Sequence, residues 1–140
     1  MQQVLEKFRL NGRRALITGS SGGIGLALAR ALGQAGAAVI LNGRNADKLQ
    51  AAAQLLRAEG LSVSTAGFDV TDADAVRQGI DVIEKDVGSI DILVNNAGMQ
   101  IRGPLQDYAD TDWHTLMRTN LDSVYSVSYT HLTLPTSDLV

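Results

Sequence analysis

The stretch T-G-S-S-G-G-I-G, from Thr18 to Gly25, decides the fold that this sequence predicts. The apolar run R-R-A-L-I-T before it is typical of a buried strand, and apolar residues at helical spacing follow from Gly23 to Gly36. At such a junction Gly19 allows a tight turn, Gly23 lets a pyrophosphate approach the backbone, and Gly25 lets the helix pack on the sheet. The spacing therefore predicts a dinucleotide-binding loop between a first strand and a first helix.

The N-terminus of this predicted helix supplies groups that bind phosphate. Its free N–H groups and partial positive charge attract an anion, and the hydroxyls of Ser20 and Ser21 can add hydrogen bonds. Ile24 lies between the last two glycines and belongs to the same predicted cofactor-binding segment. No lysine follows the glycines, which argues against a Walker-type loop. The alternative is an ordinary glycine-rich turn, but the strand and helix on either side favour the dinucleotide site.

The remainder of the chain alternates predicted strands with predicted helices. The later strands are A-A-V-I-L-N, L-S-V-S-T-A-G-F and I-D-I-L-V-N, and the last is so apolar that we expect cover on both of its faces. Helices are predicted from the cap Asn45 to Gly60, from the cap Thr71 towards Val87, and near Thr111 to Tyr125. This alternation predicts right-handed βαβ units and an α/β fold, the N-terminal half of a Rossmann-type doubly wound parallel sheet.

Composition and charge narrow the function classes. The 140 residues carry a net charge of −3 with scattered lysines and arginines, which argues against a nucleic-acid or anionic membrane surface. We therefore expect neither a nucleic acid nor a membrane as a partner. The chain is 45% hydrophobic, has no segment of transmembrane length, and begins with no apolar leader. It contains no cysteine, which fits a reducing cytoplasm, and its 2 histidines have no partners at ligand spacing, so we expect no metal site.

Four signatures, in this order along the chain, resemble the short-chain dehydrogenase/reductase family. They are the loop pattern T-G-x-x-x-G-x-G, the stretch F-D-V-T-D, the stretch N-N-A-G that ends the fourth predicted strand, and D-W-H-T-L-M-R-T-N-L. The resemblance extends from about Phe8 to Tyr125. It implies a nicotinamide-dependent oxidoreductase that acts on a carbonyl/alcohol pair.

The resemblance also implies roles for individual residues. Asp69 and Val70 would contact the adenine, N-N-A-G would lie on the cofactor side, and Asn120 would be the catalytic asparagine, which helps to hold a lysine through water. Asparagines such as Asn96 and Asn120 are unusual on apolar segments, and the alternative for each is an amide satisfied within the core. The cofactor-binding residues drawn from N-N-A-G are Asn96, Ala97 and Gly98.

The end of the second predicted strand bears on the choice of cofactor. An acidic residue there would hydrogen-bond the ribose 2′-OH of NAD and repel a 2′-phosphate. This sequence has Gly43 at that position and Arg44 next to it, and a guanidinium suits a phosphate through charge-assisted bonds. We therefore expect NADP rather than NAD, with a solvated turn residue as the alternative for Arg44.

The catalytic pair of the family is absent from these residues. The resemblance implies a Tyr-x-x-x-Lys pair, in which the lysine lowers the pKa of the phenol, and a serine that holds the substrate oxygen. The residues four positions after Tyr108, Tyr125 and Tyr129 are Asp, Tyr and Thr, and the last lysine of the chain is Lys85. We therefore expect this chain alone to be inactive.

The C-terminal run V-S-Y-T-H-L-T-L-P-T, from Val127 to Thr136, has neither a helical period nor a clean alternation. Its ten codons can be written GTC TCT TAT ACA CAT CTG ACG CTG CCG ACG, a string that resembles a transposon-based sequencing-library adaptor. We therefore expect an NADP-binding Rossmann half-domain over 1–125 and a non-native tail over 126–140, in a truncated form of a longer parent. A divergent natural terminus is the alternative.

Three stretches indicate a substrate class. V-I-L-N-G-R-N, S-T-A-G-F-D-V-T-D and I-L-V-N-N-A-G-M-Q-I-R-G-P-L-Q-D-Y resemble family members that interconvert gluconate and 5-ketogluconate with NADP. Gln100 and Arg102 follow N-N-A-G where that subgroup has polar residues, and Arg102 could face the carboxylate of a sugar acid. The alternatives are a 3-oxoacyl-(acyl-carrier-protein) reductase and a non-catalytic nucleotide-binding fragment. For the intact parent we expect a homo-oligomer.

Overall fold

The computed structural model describes residues 1–133, which form a four-stranded sheet with helices packed against both faces. No helix within these residues is long and apolar enough to cross a membrane. The predicted alternation of strands and helices is confirmed. In chain order the elements are α1 (Gln2–Glu6), β1 (Arg14–Ile17), α2 (Gly23–Gln34), β2 (Ala38–Gly43), α3 (Ala46–Ala58), β3 (Val63–Gly67), α4 (Ala73–Asp86), β4 (Ile92–Val94), a 3₁₀ turn (Leu105–Asp107), α5 (Asp110–Met117), a π-helical segment (Arg118–Asp122) and α6 (Ser123–Thr133).

The four strands are parallel and lie in the order β3-β2-β1-β4. Strand β1 is central, because Leu16 lies opposite Ile40 of β2 on one side and Leu93 of β4 on the other. The chain builds outward from β1 to β3 and then returns to add β4 on the opposite side of β1. Such a reversal opens a crevice at the carboxyl ends of the strands, where doubly wound folds bind ligands. The predicted Rossmann-type fold class is confirmed.

The apolar composition of β1 and β2 is explained by the two cores that these strands separate. Successive side chains of a strand point to opposite faces, so Ile17 joins one buried cluster and Leu16 joins the other. The first cluster includes Ala29 of α2 and Leu56 of α3, and the second includes Ile80 of α4. Because helices cover both faces, these strands have no solvated side on which polar residues would be favoured.

Strand β4 is less buried than its apolar sequence predicted. Ile92, Leu93 and Val94 are all half-buried, because within the described residues β4 has a hydrogen-bonded neighbour only on the side of β1. Ile92 and Val94 pack against the first core cluster and Leu93 packs against the second, so both faces of β4 have the expected cover, although it is partial at this edge of the described sheet.

The caps of two helices test the sequence predictions directly. Asn45 caps α3 as predicted, since its side chain accepts a hydrogen bond from the Lys48 N–H. The cap of α4 is Asp72 rather than the predicted Thr71, because the Asp72 carboxylate accepts the first N–H groups of that helix. The N–H and hydroxyl of Thr71 donate instead to Asp69, in a local turn that leads into the helix.

The last helical run is longer than predicted and continues beyond residue 125. Helix α6 reaches Thr133, and Val127 is buried in the second core cluster. The expected division into 1–125 and 126–140 stays a prediction, and residues 134–140 lie outside the described part of the chain.

Candidate functional site

A cleft of about 600 Å³ opens at the carboxyl ends of the strands, where the strand order reverses. Its walls come from the glycine loop, the end of β2, the turn at 68–71, the segment 96–99 after β4, and positions within 115–119 on the last helical run. Ligands of doubly wound folds bind at this place. Of the predicted cofactor residues, Gly19, Ser21, Ile24, Gly25, Arg44, Asp69, Val70, Asn96, Ala97 and Gly98 line the cleft, whereas Ser20 and Gly23 do not.

Three glycines of the loop are required for three different reasons. Gly19 has a φ of +60°, and a Cβ there would lie 2.8 Å from the Cα of Ala97. Gly23 has a φ of +56° with open space around it, so its constraint is conformational alone. A Cβ on Gly25 would lie 2.5 Å from the carbonyl oxygen of Gly19. The glycine at this position therefore permits the close approach of α2 to the loop.

The N-terminus of α2 is the part of the loop best suited to an anion. Its N-cap is Gly22, which makes no side-chain cap hydrogen bond, and no acidic residue lies in the first turn. The first N–H groups of a helix have no acceptor within it and carry a partial positive charge. Ile24 is 75% exposed beside them. The donor set therefore fits the diphosphate of a dinucleotide.

The two loop serines have opposite environments. Ser20 is fully buried, and its hydroxyl donates to the Ile17 carbonyl at 2.7 Å and accepts the Asn42 N–H at 3.0 Å. This placement corrects the prediction that the Ser20 hydroxyl can reach a phosphate, because its donor is already used within the protein. Ser21 lines the cleft, and its Oγ lies close to the backbone of Gly43.

Arg44 and Asp69 form an ion pair at one end of the cleft. Arg44 Nη1 lies 3.8 Å from Asp69 Oδ2, and the Arg44 side chain is 78% exposed. Burial raises the pKa of Asp69, but hydrogen bonds from the Thr71 N–H and hydroxyl and the charge of Arg44 oppose it, and the net pKa lies below its ordinary value. An exposed pair of this length stabilises little. The guanidinium is therefore available to an incoming anion.

Asn96 fastens the segment after β4 to the glycine loop. Its Nδ2 donates to the carbonyls of Thr18 and Gly19, each at 3.0 Å. The N–H groups of Asn96 and Ala97 both donate to the Thr18 hydroxyl, also at 3.0 Å. The Asn96 donor is thus used on protein carbonyls, which agrees with the alternative of a satisfied internal amide. Asn96 therefore keeps the segment after β4 in a fixed position against the glycine loop.

Asn120 lies in the π-helical segment, next to Arg118 and Thr119, which line the cleft, but does not line the cleft itself. Its Oδ1 accepts the Met99 N–H at 2.8 Å, and its Nδ2 donates to the Met99 carbonyl at 2.9 Å. A Cβ on Gly98 would lie 3.2 Å from the same Oδ1. Asn120 therefore holds the segment 96–99 from the helical side, and π-helical turns are frequent at functional sites.

Gln100 and Arg102 are exposed beyond that segment. Arg102 donates through Nε and Nη2 to Gln100 Oε1, at 3.2 Å and 2.9 Å. Gln100, Asn120 and Met99 line a second, more open hollow of about 570 Å³. Gln100 thus lines this hollow, and Arg102 is joined to the hollow only through its hydrogen bonds to Gln100.

Several cleft residues were missed by the sequence analysis. Asn42 is 1% exposed, lines the cleft and accepts the Gly19 N–H of the loop. Thr18 is 2% exposed behind the lining, and its hydroxyl accepts the N–H groups of Asn96 and Ala97. Their signal was a polar residue at the end of an apolar strand, the same signal that singled out Asn96. Arg118 also lines the cleft, and no short-range sequence pattern marks it. Within the described residues, no group of three or more His, Asp or Glu side chains could hold a metal ion.

Comparison with known proteins shows which family and which relatives this chain resembles. The family model described as short chain dehydrogenase matches residues 13–136. A gluconate 5-dehydrogenase of Gluconobacter oxydans (strain 621H) is 56% identical over 120 residues, which are 86% of this chain and 47% of that protein. A 5-keto-D-gluconate 5-reductase of Escherichia coli (strain K12) is 40% identical over 121 residues, which are 86% of this chain and 48% of that protein.

A solved structure has the same fold over nearly the whole chain. The crystal structure of a gluconate 5-dehydrogenase from Burkholderia cenocepacia J2315 in complex with NADP and tartrate matches with a TM-score of 0.89 at 53% identity. The match covers 92% of this chain and 51% of that one. The chain thus spans about half the length of the curated relatives that it matches. With the family pattern matched over most of its residues, this chain belongs to the short chain dehydrogenase family.

Proposed function

We propose that this chain carries the NADP-binding half of an oxidoreductase that interconverts a secondary alcohol and a ketone of a sugar acid. The observation that carries the proposal is the cleft itself, in which the open N-terminus of α2 and the guanidinium of Arg44 face the same space. The N-terminus of α2 suits a diphosphate, and the guanidinium of Arg44 suits a further phosphate.

Different residues of the cleft would hold different parts of the cofactor. The first N–H groups of α2, with Ser21 and Ile24 beside them, would bind the diphosphate. Asp69 and the backbone of Val70 would contact the adenine, as the family resemblance implies. Asn96, Ala97 and Gly98 would border the nicotinamide side, since they follow the strand on the far side of the reversal. The proposed cofactor-binding residues are therefore Gly19, Ser21, Gly23, Ile24, Gly25, Arg44, Asp69, Val70, Asn96, Ala97 and Gly98.

NADP is preferred over NAD in this proposal because of the end of β2. No carboxylate follows directly on that strand to accept a ribose hydroxyl, since Gly43 is its last residue and Arg44 comes next. A 2′-phosphate would compete with Asp69 for the guanidinium, and a phosphate is the stronger partner for it. The relative from Burkholderia cenocepacia, which is in complex with NADP, supports the same choice.

Gluconate and 5-ketogluconate are the proposed substrate pair of the whole protein. The names of the relatives from Gluconobacter oxydans and Escherichia coli support this choice. Arg102, which donates to Gln100 of the second hollow, is the proposed partner of the substrate carboxylate, which would displace Gln100 from the guanidinium. NADP, when bound, supplies the hydride acceptor. Asn120 is the proposed catalytic-site asparagine, here acting on the loop through Met99.

The 140 residues by themselves are proposed to bind cofactor without turnover. A general base must accept the hydroxyl proton, and the sequence has no Tyr-x-x-x-Lys pair to do so. The missing pair also favours a second candidate, a nucleotide-binding fragment without catalysis. Activity of the isolated chain on 5-ketogluconate with NADPH would overturn this part of the proposal. Reduction of acetoacetyl thioesters by the longer protein, without action on 5-ketogluconate, would favour the 3-oxoacyl reductase instead.

Binding of cofactor fragments tests the core of the proposal. Calorimetric titration of the chain with NADPH, NADH and 2′,5′-ADP should show binding of NADPH and 2′,5′-ADP, with NADH weaker than NADPH. The physical reason is that the phosphate-binding groups lie in the described cleft, whereas the reacting end depends on contacts beyond it. Failure of 2′,5′-ADP to compete with NADPH would contradict the proposal, and equal affinity for NADH would contradict the NADP preference.

Self-association is proposed for the whole protein from the outer face of the last helical run. Leu121 and Tyr125, which precede the proposed tail, are 57% and 67% exposed. Exposed apolar stripes of this kind mark association surfaces. Sedimentation velocity should give a species larger than a monomer. We also propose that the native sequence ends near residue 125, and codons for 126–140 that differ from the adaptor string would contradict this.

A cytoplasmic location is proposed because the sequence contains no cysteine, which fits a reducing compartment.

A further inference from the structure

Asn42 joins three parts of the cleft from inside the protein. It is 1% exposed at the end of β2, and its Oδ1 accepts the Gly19 N–H at 3.2 Å. Its Nδ2 donates to the carbonyls of Ala66 at 3.0 Å and Phe68 at 3.1 Å. Its backbone exchanges two bonds with Ser20, one through the Ser20 hydroxyl at 3.0 Å and one through the Ser20 N–H at 2.8 Å.

These bonds divide the N–H groups of the glycine loop into two sets. The N–H groups of Gly19 and Ser20 donate to Asn42 and are used within the protein. Those at the start of α2 have no acceptor in the helix and remain for a ligand. Asn42 therefore sets the point along the loop at which phosphate binding can begin.

The other end of the same amide holds the turn that carries Asp69. Phe68, whose carbonyl accepts from Asn42 Nδ2, directly precedes Asp69, and the Asp69 carboxylate lies 3.8 Å from Arg44. A planar amide fixes its acceptor and its donors at a set distance and angle. The glycine loop and the Asp69 turn are therefore both held by hydrogen bonds to one rigid group, the side-chain amide of Asn42.

We propose that Asn42 is a positioning residue that couples the phosphate-binding loop to the Asp69 turn, so that the diphosphate and the adenosine of the cofactor meet a single preformed site. The inference rests on the proposed cofactor function and deepens it. Preformed geometry raises affinity because less ordering remains to be done on binding. An amide is required, because a carboxylate lacks the donor and an aliphatic side chain lacks both donor and acceptor.

The test compares Asn42→Asp with Asn42→Leu by titration of each chain with 2′,5′-ADP between pH 5.5 and pH 8. Asn42→Asp keeps the acceptor for Gly19 but turns an oxygen towards two carbonyl oxygens. Burial raises the pKa of such a carboxyl, and the protonated form regains an O–H donor. Binding should be about tenfold weaker than in the wild type at high pH and should recover as the pH falls.

Two control variants distinguish this pH-dependent recovery of binding from a general loss of structure. Asn42→Leu has a similar volume without polar atoms, so its binding should stay weak at every pH. Asn11→Asp makes the same charge change at an exposed turn before β1, at the opposite end of the sheet, and should bind as the wild type does. Dissociation constants are taken relative to the wild type at each pH, which removes the titration of the ligand phosphate.

The possible outcomes separate the two proposals. Recovery of Asn42→Asp at low pH, without recovery of Asn42→Leu, supports the coupling. Wild-type affinity of Asn42→Asp at high pH, or no recovery at low pH, overturns the coupling and leaves the proposed function standing. Failure of the wild-type chain to bind 2′,5′-ADP overturns the proposed function, and the coupling with it. Amide hydrogen exchange at Gly19, slow in the wild type and faster in Asn42→Leu, checks the bond itself, and equal exchange overturns the coupling.

Discussion

The two walls of the cleft are built differently. On the glycine-loop side, Thr18, Ser20 and Asn42 are at most 2% exposed, and their side chains hydrogen-bond to backbone groups of the loop and its neighbours. On the helical side, Thr115, Arg118 and Thr119 line the cleft, while Trp113 and Tyr125 of the same helical run lie outside the lining and are 52% and 67% exposed. The first wall is held by internal polar bonds, whereas the helical run that forms the second wall has apolar side chains outside the cleft that the described residues leave uncovered.

This difference indicates which steps each wall can support. A loop whose polar groups are satisfied within the protein keeps one shape before a ligand arrives, and such preorganisation favours binding. A wall with exposed apolar side chains gains order when a further surface covers it. We therefore expect cofactor affinity to depend on the loop wall, and assembly to depend on the helical wall.

The largest effect is expected from Gly25→Val on the loop wall. A Cβ there would lie 2.5 Å from the Gly19 carbonyl oxygen, so α2 must move off the loop. The free energy of unfolding should fall by about 3 kcal/mol, measured by urea denaturation. Gly22→Ala is the matched control, since a Cβ there has open space, and its cost should stay below about 1 kcal/mol. Equal losses would show that the loop wall is not tightly packed.

Arg44→Ala should change cofactor choice without affecting the fold. Removal of the guanidinium should weaken NADPH about tenfold and leave NADH unchanged, because only the 2′-phosphate uses its charge. The thermal midpoint should stay close to that of the wild type, since the pair with Asp69 is largely exposed. Parallel loss of both cofactors in calorimetry would show that Arg44 serves the loop rather than the phosphate.

Ile17→Val and Leu121→Ala compare the interior behind the loop with the helical wall. Ile17 is fully buried, and loss of one methyl group there should cost about 1 kcal/mol of unfolding free energy. Leu121 is 57% exposed, so the larger truncation should change stability by less than about 0.5 kcal/mol while reducing self-association. A greater stability loss for Leu121→Ala, measured at a concentration where the chain is monomeric, would reverse the comparison.

The smallest effect is expected from Asp69→Asn, and it depends on pH. The folded pKa of Asp69 lies below its unfolded value near 3.9, so its stabilisation is present above that value and is lost as the pH falls through the folded pKa. Between pH 6 and pH 2.5 the wild type should lose slightly more stability than Asp69→Asn. The difference is small because the side chain is 38% exposed. Identical pH profiles of the wild type and Asp69→Asn in thermal unfolding would show that the charge of Asp69 does not stabilise the folded chain.

Neighbouring residues of similar type mark the limit of the sequence predictions. Thr71 and Asp72 are both favourable N-cap residues. Asp72 caps α4, because the Thr71 hydroxyl is hydrogen-bonded to Asp69. Ser20 and Ser21 are chemically identical, yet one is buried and the other lines the cleft. Local patterns could not separate such pairs, because the difference depends on which way the backbone turns the side chain.

The sequence by itself determined the parallel doubly wound sheet, the glycine loop and the position of Arg44 after β2. These features depend on short-range properties, namely strand and helix periodicity and the φ angles that only glycine adopts readily. Tertiary structure alone decided the roles of Asn42 and Asn96, and the half-buried state of β4. Their partners lie more than 20 residues away along the chain, so their contacts follow from the packing of strands and loops rather than from neighbouring residues.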